Sequence, residues 1–234
     1  MARTTRDEAK QDDQPRGGRR SPGPRRRLSR EGIVDAAIQV IEADGLAALT
    51  MRRLADELGV APGTLYTYVS NRTALVTLIL DTVVERDDLP HELPGSWREK
   101  LESWARSDFD HFCAQPWVLD LRASVREAGP NMITWFDSAL RVFDGFGVPE
   151  ETKLNMLGTL DAYVIGSAFA HTETLTPDQP ASEMKHAAIA AYEAAPALQR
   201  ALAHAPRTFG TERFEFGLAC LLDGFTSVLG QPGS

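Results

Sequence analysis

From Leu28 to Leu229 apolar residues recur at helical spacing (i, i+3, i+4, i+7), and no stretch alternates as a half-buried strand would. Ile33, Ala36, Ala37, Val40 and Ile41 form the first stripe, with Ser29 placed as its N-cap and Gly45 as its stop. Thr50 is placed to cap a second helix, with Leu49 and Leu54 as a hydrophobic staple across its entry. That helix turns Leu54, Ala55 and Leu58 inward and leaves Arg52, Arg53, Asp56 and Glu57 outside. Gly59-Val60 predicts a turn, since glycine takes positive φ without strain and Val60 can drop into a small core. Pro62 suits the first position of a third helix, where its missing N–H is no loss. Between Pro62 and Val69 only Leu65 and Val69 are needed by that core. Asn71 then caps a fourth helix carrying Leu75, Leu78, Ile79, Thr82 and Val83.

The polar, proline-containing run from Glu85 to Gly95 breaks the pattern and marks a boundary. Beyond it Trp97, Leu101, Trp104, Ala105, Phe109 and Phe112 share a broad stripe that Pro116 ends. A short helix follows at Trp117 to Val125. Gly129-Pro130 starts another, with Met132, Phe136, Leu140 and Phe143 on one face, closing at Gly145-Phe146-Gly147. Pro149 opens a long helix with Leu154, Leu157, Leu160, Val164, Ala168 and Phe169. Thr176 to Pro180 reads as a loop, 181–204 as alanine-rich helix interrupted at Pro196, and Thr211 to Leu229 as a last helix apolar at Phe214, Leu218, Leu221, Leu222, Phe225 and Leu229.

The pattern predicts an all-α protein: residues 1–28 as a disordered basic arm, 29–88 as a three-helix head with a connecting helix, and 89–230 as a larger helical body. Two short helices joined by Gly59-Val60 form a helix-turn-helix, a unit that lays its second helix in the major groove of DNA. The residues that the core leaves over on that helix, Gly63, Thr64, Tyr66, Thr67 and Tyr68, suit this use. Hydroxyls can bond phosphates, threonine methyls can meet thymine methyls, and Pro62 and Gly63 allow a close approach. For Tyr66 a place in the core fits the spacing equally well. Arg72 in the first turn of the fourth helix brings a guanidinium to a helix N-terminus, where a phosphate could sit.

A net charge of −8 in 234 residues argues against nucleic acid until its distribution is considered. Residues 1–30 hold ten Arg and Lys against four Asp and Glu (+6), and the rest hold fifteen against twenty-nine (−14). Residues 1–27 have almost no large apolar groups and cannot fold alone. Arg25, Arg26, Arg27 and Arg30 are expected to follow DNA phosphates or enter a minor groove, whereas residues 1–18 read equally well as a solvated tail. The two cysteines, Cys113 and Cys220, sit inside apolar patterns and read as small buried hydrophobes. No apolar run approaches the roughly 18 residues needed to span a bilayer, so a cytoplasmic protein without membrane contact is expected.

With Leu49-Thr50, Arg52, Leu54-Ala55, Leu58-Gly59-Val60, Thr64-Leu65-Tyr66, Val69, Asn71-Arg72 and Ala74-Leu75 in place, residues 29–85 resemble the DNA-binding domain of the TetR family of bacterial transcriptional regulators. Phe214-Glu215-Phe216-Gly217-Leu218 and Leu221-Leu222-Asp223-Gly224 resemble the end of a tetracycline-repressor-like C-terminal domain. The resemblance implies a helix-turn-helix DNA-binding domain followed by a helical ligand-binding and dimerisation domain. It assigns Thr50 and Arg52 to operator contact, Pro62, Gly63, Thr64, Thr67 and Tyr68 to bases, and Tyr66 and Arg72 to phosphate. Two positions depart from the pattern: Tyr68 stands where His is frequent and Arg72 where Lys is frequent. The implied partners are double-stranded operator DNA, a second copy of the chain through helices near 149–173 and 211–229, and a small hydrophobic inducer.

Trp104, Phe109, Phe112, Met132, Trp135, Phe136, Met156 and Tyr163 are numerous enough to line an apolar cavity, although any one of them taken alone fits better as ordinary core. His111, Asp108 and Asp161 are candidates for orienting a ligand there, or are satisfied structural groups. The candidate ligand contacts are therefore Trp104, His111, Phe112, Met132, Trp135, Phe136, Met156, Asp161 and Tyr163. The resemblance leaves His111 and His171 open as groups for a metal-dependent inducer. No catalytic site, resident metal or cofactor is expected: there is no Gly-rich phosphate loop, H-E-x-x-H or G-x-S-x-G, and the five His are scattered at 91, 111, 171, 186 and 204. The reading is a ligand-responsive regulator that releases a palindromic operator.

Overall fold

The computed structural model describes residues 28–85, 87–125, 127–174, 191–204 and 211–230, and among these all regular structure is helical. The predicted arm at residues 1–27 with Arg27, the predicted loop at Thr176 to Pro180 and the first part of the predicted 181–204 helix lie outside the described residues. Local capping sets the head. The Ser29 hydroxyl accepts from the Gly32 N–H at 3.0 Å to start α1 (Arg30–Asp44), and Gly45 ends it at φ 81°. After a 3₁₀ turn at Leu46–Ala48, the Thr50 hydroxyl accepts from the Arg53 N–H at 3.1 Å to start α2 (Met51–Glu57). Gly59 turns the chain at φ 64°, a conformation that disfavours any residue with a Cβ. Pro62 opens α3 (Pro62–Tyr66), and the Asn71 carboxamide oxygen accepts from the Ala74 N–H at 2.9 Å at the start of α4 (Arg72–Glu85).

The head core is Ile33, Val40, Leu49, Leu54, Leu65, Leu75 and Ile79, all fully or almost fully buried. At roughly 1.5–3 kcal/mol for each large apolar side chain buried, seven such residues suffice to hold three short helices. The body consists of α5 (Trp97–Ala114), α6 (Trp117–Ser124), α7 (Pro130–Arg141), α8 (Glu150–Thr174), α9 (Pro196–Ala203) and α10 (Thr211–Leu229). Helices α5 and α8 form its centre, and α10 packs on both; Phe109 stacks on Phe214 at 4.1 Å. Leu121 of α6 reaches into the head core, so the two cores meet beside α4.

Five expectations are corrected. Helix α4 has a second apolar face: Leu80 and Val84, beyond the predicted stripe, are buried in the body core. The Glu85 to Gly95 run is no mere break, since it holds a 3₁₀ turn at Pro90–Glu92 with Pro90 buried and the His91 N–H and ring bonded to Ser138 Oγ. On α7 the buried stripe is Met132, Trp135 and Ala139, continued by Val142 and Phe143 in the turn after it, leaving Phe136 at its exposed edge. On α8, Leu154 and Phe169 are 55% and 53% exposed, because the buried line runs through Met156, Leu157, Leu160, Val164 and Ala168. Cys113 is half-buried and Cys220 exposed, against the reading of both as core.

Candidate nucleic-acid interface and effector cavity

Helix α3 is held by Leu65 and Val69, which point into the head core. Every other residue from Pro62 to Tyr68 is exposed, with Tyr66 and Tyr68 at 50% and 39%. The open question for Tyr66 is thereby settled against the core. The face is uncharged and its polar atoms are hydroxyls; the Thr67 hydroxyl donates to the Thr64 carbonyl at 2.7 Å and keeps its lone pairs outward. Thr50 and Arg52 are exposed at the start of α2, and Arg53 is tied to Asp44 and Glu57. Arg72 has a second task that the spacing does not reveal. Its Nε donates to the Leu49 carbonyl at 2.9 Å and an Nη to the Leu46 carbonyl at 3.1 Å, bracing α4 against the entry of α2.

In the body, Trp104 and Trp135 pack at 5.0 Å and Phe136 lies edge-on to Trp135 at 5.4 Å. Met132 and Phe136 line a cleft of about 250 Å³ between α4, α6 and α7, with Leu80, Asp81 and Arg122 on its other walls. Arg122 lies over the Phe112 ring at 5.6 Å and grips Asp161 through both carboxylate oxygens at 2.7 and 2.8 Å. His111 sits beside Phe112, and its Nε2 is buried without a hydrogen-bond partner. Met156 is buried in the body core, and Tyr163 donates to the Phe214 carbonyl at 2.8 Å between α8 and α10. His171 packs on Phe109, and among the described residues no three His, Cys, Asp or Glu side chains are grouped to hold a metal ion.

This architecture has known relatives. Residues 33–79 match the family model for bacterial regulatory proteins of the tetR family, and residues 89–229 match the tetracyclin repressor-like C-terminal domain. The HTH-type transcriptional repressor DrrR1 of Streptomyces coeruleorubidus is 31% identical over 229 residues, covering 92% of this chain and 83% of that protein. The chain belongs to the TetR family. It is a helix-turn-helix transcriptional regulator, built as the DNA-binding head and helical body of that family. The tetracycline repressor protein class D of Escherichia coli is 27% identical over 205 residues, covering 85% of this chain and 89% of that one. The structure of ActR from Streptomyces coelicolor in complex with actinorhodin superposes with a TM-score of 0.72 at 25% identity, covering 87% of this chain and 99% of that one. Among the described residues no helix is long and apolar enough to cross a membrane.

Two features of this TetR-family regulator escape sequence reasoning. The first is Asp81 on α4, 7% exposed, whose Oδ1 accepts from the Met132 N–H at 3.0 Å while the Asn131 carboxamide donates to its carbonyl at 3.3 Å. It caps the N-terminus of α7 from another helix, with the charge where the helix dipole favours an anion. The available signal is a lone carboxylate inside the apolar run Leu78 to Val84.

The second is the presence of Asp87 and Arg122 beside the expected candidates Asp108 and Asp161 in one group of charges inside the body. Burial pushes the Asp108 carboxyl up to about 7, with Asp87 and Asp161 adding repulsion and Arg122 and the Trp104 N–H opposing. Burial also raises Asp87, against the pull of His111 and Arg122. A carboxylate raised on folding binds its proton more tightly in the folded state. Its contribution is therefore fully present below about pH 4 and is lost as pH rises towards 7. The expected result is that Asp108→Asn raises the melting temperature by several degrees at pH 8 and changes it little at pH 4, in parallel thermal denaturation scans.

Proposed function

We propose that this regulator is a homodimeric repressor that holds a near-palindromic operator and releases it when the body takes up a small hydrophobic effector. The observation that carries the proposal is the uncharged, hydroxyl-rich exposed face of α3, fixed from behind by Leu65 and Val69. Pro62, Gly63, Thr64, Thr67 and Tyr68 are assigned to bases, Tyr66 and Arg72 to phosphate, and Thr50, Arg52 and Arg27 to the flanking backbone. DrrR1 is named a repressor and ActR has been solved with actinorhodin, which supports repression and a small-molecule effector here. Division into an arm to residue 28, a head to 88 and a body to 230 accords with this reading, as does a place in the cytoplasm beside the DNA.

Dimerisation has its own support. Leu154 and Phe169 on α8 and Phe216 and Val228 on α10 are exposed apolar residues, with Phe216 at 74%. Between them lie Gly158, Ala162 and Gly166 on one helix and Cys220 and Gly224 on the other, all exposed. A glycine inside a helix costs about 1 kcal/mol relative to alanine. At Gly158, Gly166 and Gly224 no group among the described residues lies where a Cβ would point, so no packing among those residues requires a glycine there. Close approach of a second α8–α10 pair gives them a use, as in a four-helix interface.

The effector must bind the released state better than the DNA-bound one, and α4 is the element that joins both. A direct test of the head is Tyr66→Phe. Loss of one charge-assisted hydrogen bond is expected to weaken operator binding about tenfold, read by fluorescence anisotropy. Unchanged affinity removes Tyr66 from the contact. Arg72→Ala is expected to weaken it further, since it also frees the Leu46 and Leu49 carbonyls.

A further inference from the structure

Helix α3 and the residues that follow it carry none of the side chains that read a base through paired hydrogen bonds. From Pro62 to Val69 there is no Arg or Lys to span the two acceptors of guanine, no Asn or Gln to pair with adenine, and no Asp or Glu to accept from cytosine. What this stretch turns outward is Gly63, Thr64, Tyr66, Thr67 and Tyr68, all exposed. Thr67 is set apart by its hydroxyl, which donates to the Thr64 carbonyl at 2.7 Å beside the Thr67 N–H at 3.2 Å. With its proton committed, that hydroxyl has nothing to give the N7 and O6 acceptors of guanine. Hydroxyl and methyl share one Cβ, so the bond that fixes the first also fixes the second. The hydroxyl points back along the helix, and the methyl is left as the exposed part of the side chain in a single orientation. Gly63, one turn earlier on the same face, adds no side chain to shield it.

We propose that Thr67 reads thymine: its fixed methyl packs on the C5-methyl of one thymine in each operator half-site, and its lack of a free donor disfavours guanine there. The proposal rests on the reading of α3 as the DNA-contacting helix and adds the base chemistry that it selects. Thymine alone presents a methyl group in the major groove, so an apolar contact at that point separates T·A from the other pairs without a hydrogen bond. A side chain already held in one rotamer loses little further freedom on binding, which favours Thr67 as the selective contact. Helix α3 spans only Pro62–Tyr66, so Thr67 lies little more than one turn from the end at which a recognition helix meets the base edges.

The test uses the full-length protein and the duplex that it retains most strongly from a random pool. That duplex is resynthesised with deoxyuridine in place of thymidine at matched positions of the two half-sites, one pair of positions at a time. Deoxyuridine still pairs with adenine and keeps O4, so only the methyl is removed. Loss of one buried methyl contact weakens binding by about fourfold, and two symmetric half-sites together give about fifteenfold. One matched pair of thymines is therefore expected to show about that loss on exchange for uridine, read by fluorescence anisotropy. Thr67→Ser keeps the hydroxyl and removes the methyl, at an exposed position where the fold is indifferent to it. It is expected to bind the thymidine duplex about as weakly as the unaltered protein binds the uridine duplex, and to change by less than about twofold on the exchange. Replacing the same T·A pair by C·G is expected to weaken binding, and 5-methylcytosine in place of that cytosine to recover about fourfold per half-site, because it restores the methyl alone.

The proposal is overturned if no pair of thymines is sensitive to uridine by more than about twofold, or if the sensitivity persists undiminished in Thr67→Ser. A sensitivity that survives Thr67→Ser and disappears in Thr64→Ser assigns the contact to the other threonine and overturns it equally. Retention of no shared sequence from the pool contradicts the DNA-reading proposal itself. A shared sequence whose thymines all tolerate uridine contradicts only the role of Thr67.

Discussion

Gly129→Ala is expected to lower the melting temperature by roughly 5–15 °C, one of the two largest effects of any single substitution in this chain. A Cβ at residue 129 would lie 2.3 Å from Cγ and Oδ1 of Asp81, well inside any permissible contact. Asp81 is buried and hydrogen-bonded to the Met132 N–H, so its side chain can give way only by breaking that bond. Either α7 moves off α4, or the Asp81 cap on the Met132 N–H breaks. Overpacking costs about 1–3 kcal/mol, and an orphaned buried N–H a similar amount. Asp81→Ala alone loses only the cap, and the double substitution removes the clash. The double mutant is therefore expected to be more stable than the sum of the two single losses predicts, in a thermal double-mutant cycle. Strict additivity would mean that the two residues do not press on each other. Because α4 carries the head and α7 belongs to the body, the same contact ties the reading helix to the effector cavity.

If the proposed α8–α10 dimer forms, Phe216→Glu is expected to convert it to a monomer in sedimentation velocity, and to weaken operator binding by at least about a hundredfold. A dimer gains its affinity by binding two half-sites at once, with the second contact made at high effective concentration. Phe216 is the most exposed large apolar side chain among the described residues, so a charge there does little to the isolated fold. It opposes burial against a partner, where an unpaired carboxylate is poorly tolerated. A variant that stays dimeric would shift the interface away from the 216–228 face of α10. The control is Gly217→Ala on the neighbouring face. Its Cβ would meet the Tyr163 ring and hydroxyl at 2.2–2.8 Å, so it is expected to damage the fold rather than the assembly.

The head was legible because its signals are local. Ser29, Thr50, Gly59, Pro62 and Asn71 each act within four residues, and the structure uses every one as the spacing predicts. The body was legible as helices but not as faces. Leu154, Phe169 and Phe136 fall on apolar stripes too wide for periodicity to say which edge meets the core. Helix α4 hid its second face for the same reason, with Leu80 and Val84 serving the body and Leu75 and Ile79 the head. The candidate effector site was the least legible part. Asp87 stood in a run that read as linker, and Arg122 was not singled out at all. The groups that give them meaning lie about 20 to 40 residues away in the chain, Asp108 beside Asp87 and Asp161 beside Arg122. No local pattern encodes such pairs.

The central claim is that one exposed face of α3 reads double-stranded DNA as half of a symmetric pair. The most direct measurement is selection of duplexes from a random pool by the purified full-length protein, followed by sequencing of what it retains. The account predicts enrichment of a near-palindrome whose half-sites lie about one helical turn or more apart, with the enrichment sharply reduced by Tyr66→Phe. Retention of duplexes without a shared sequence, or of a motif unaffected by substitution on the exposed face of α3, would contradict it.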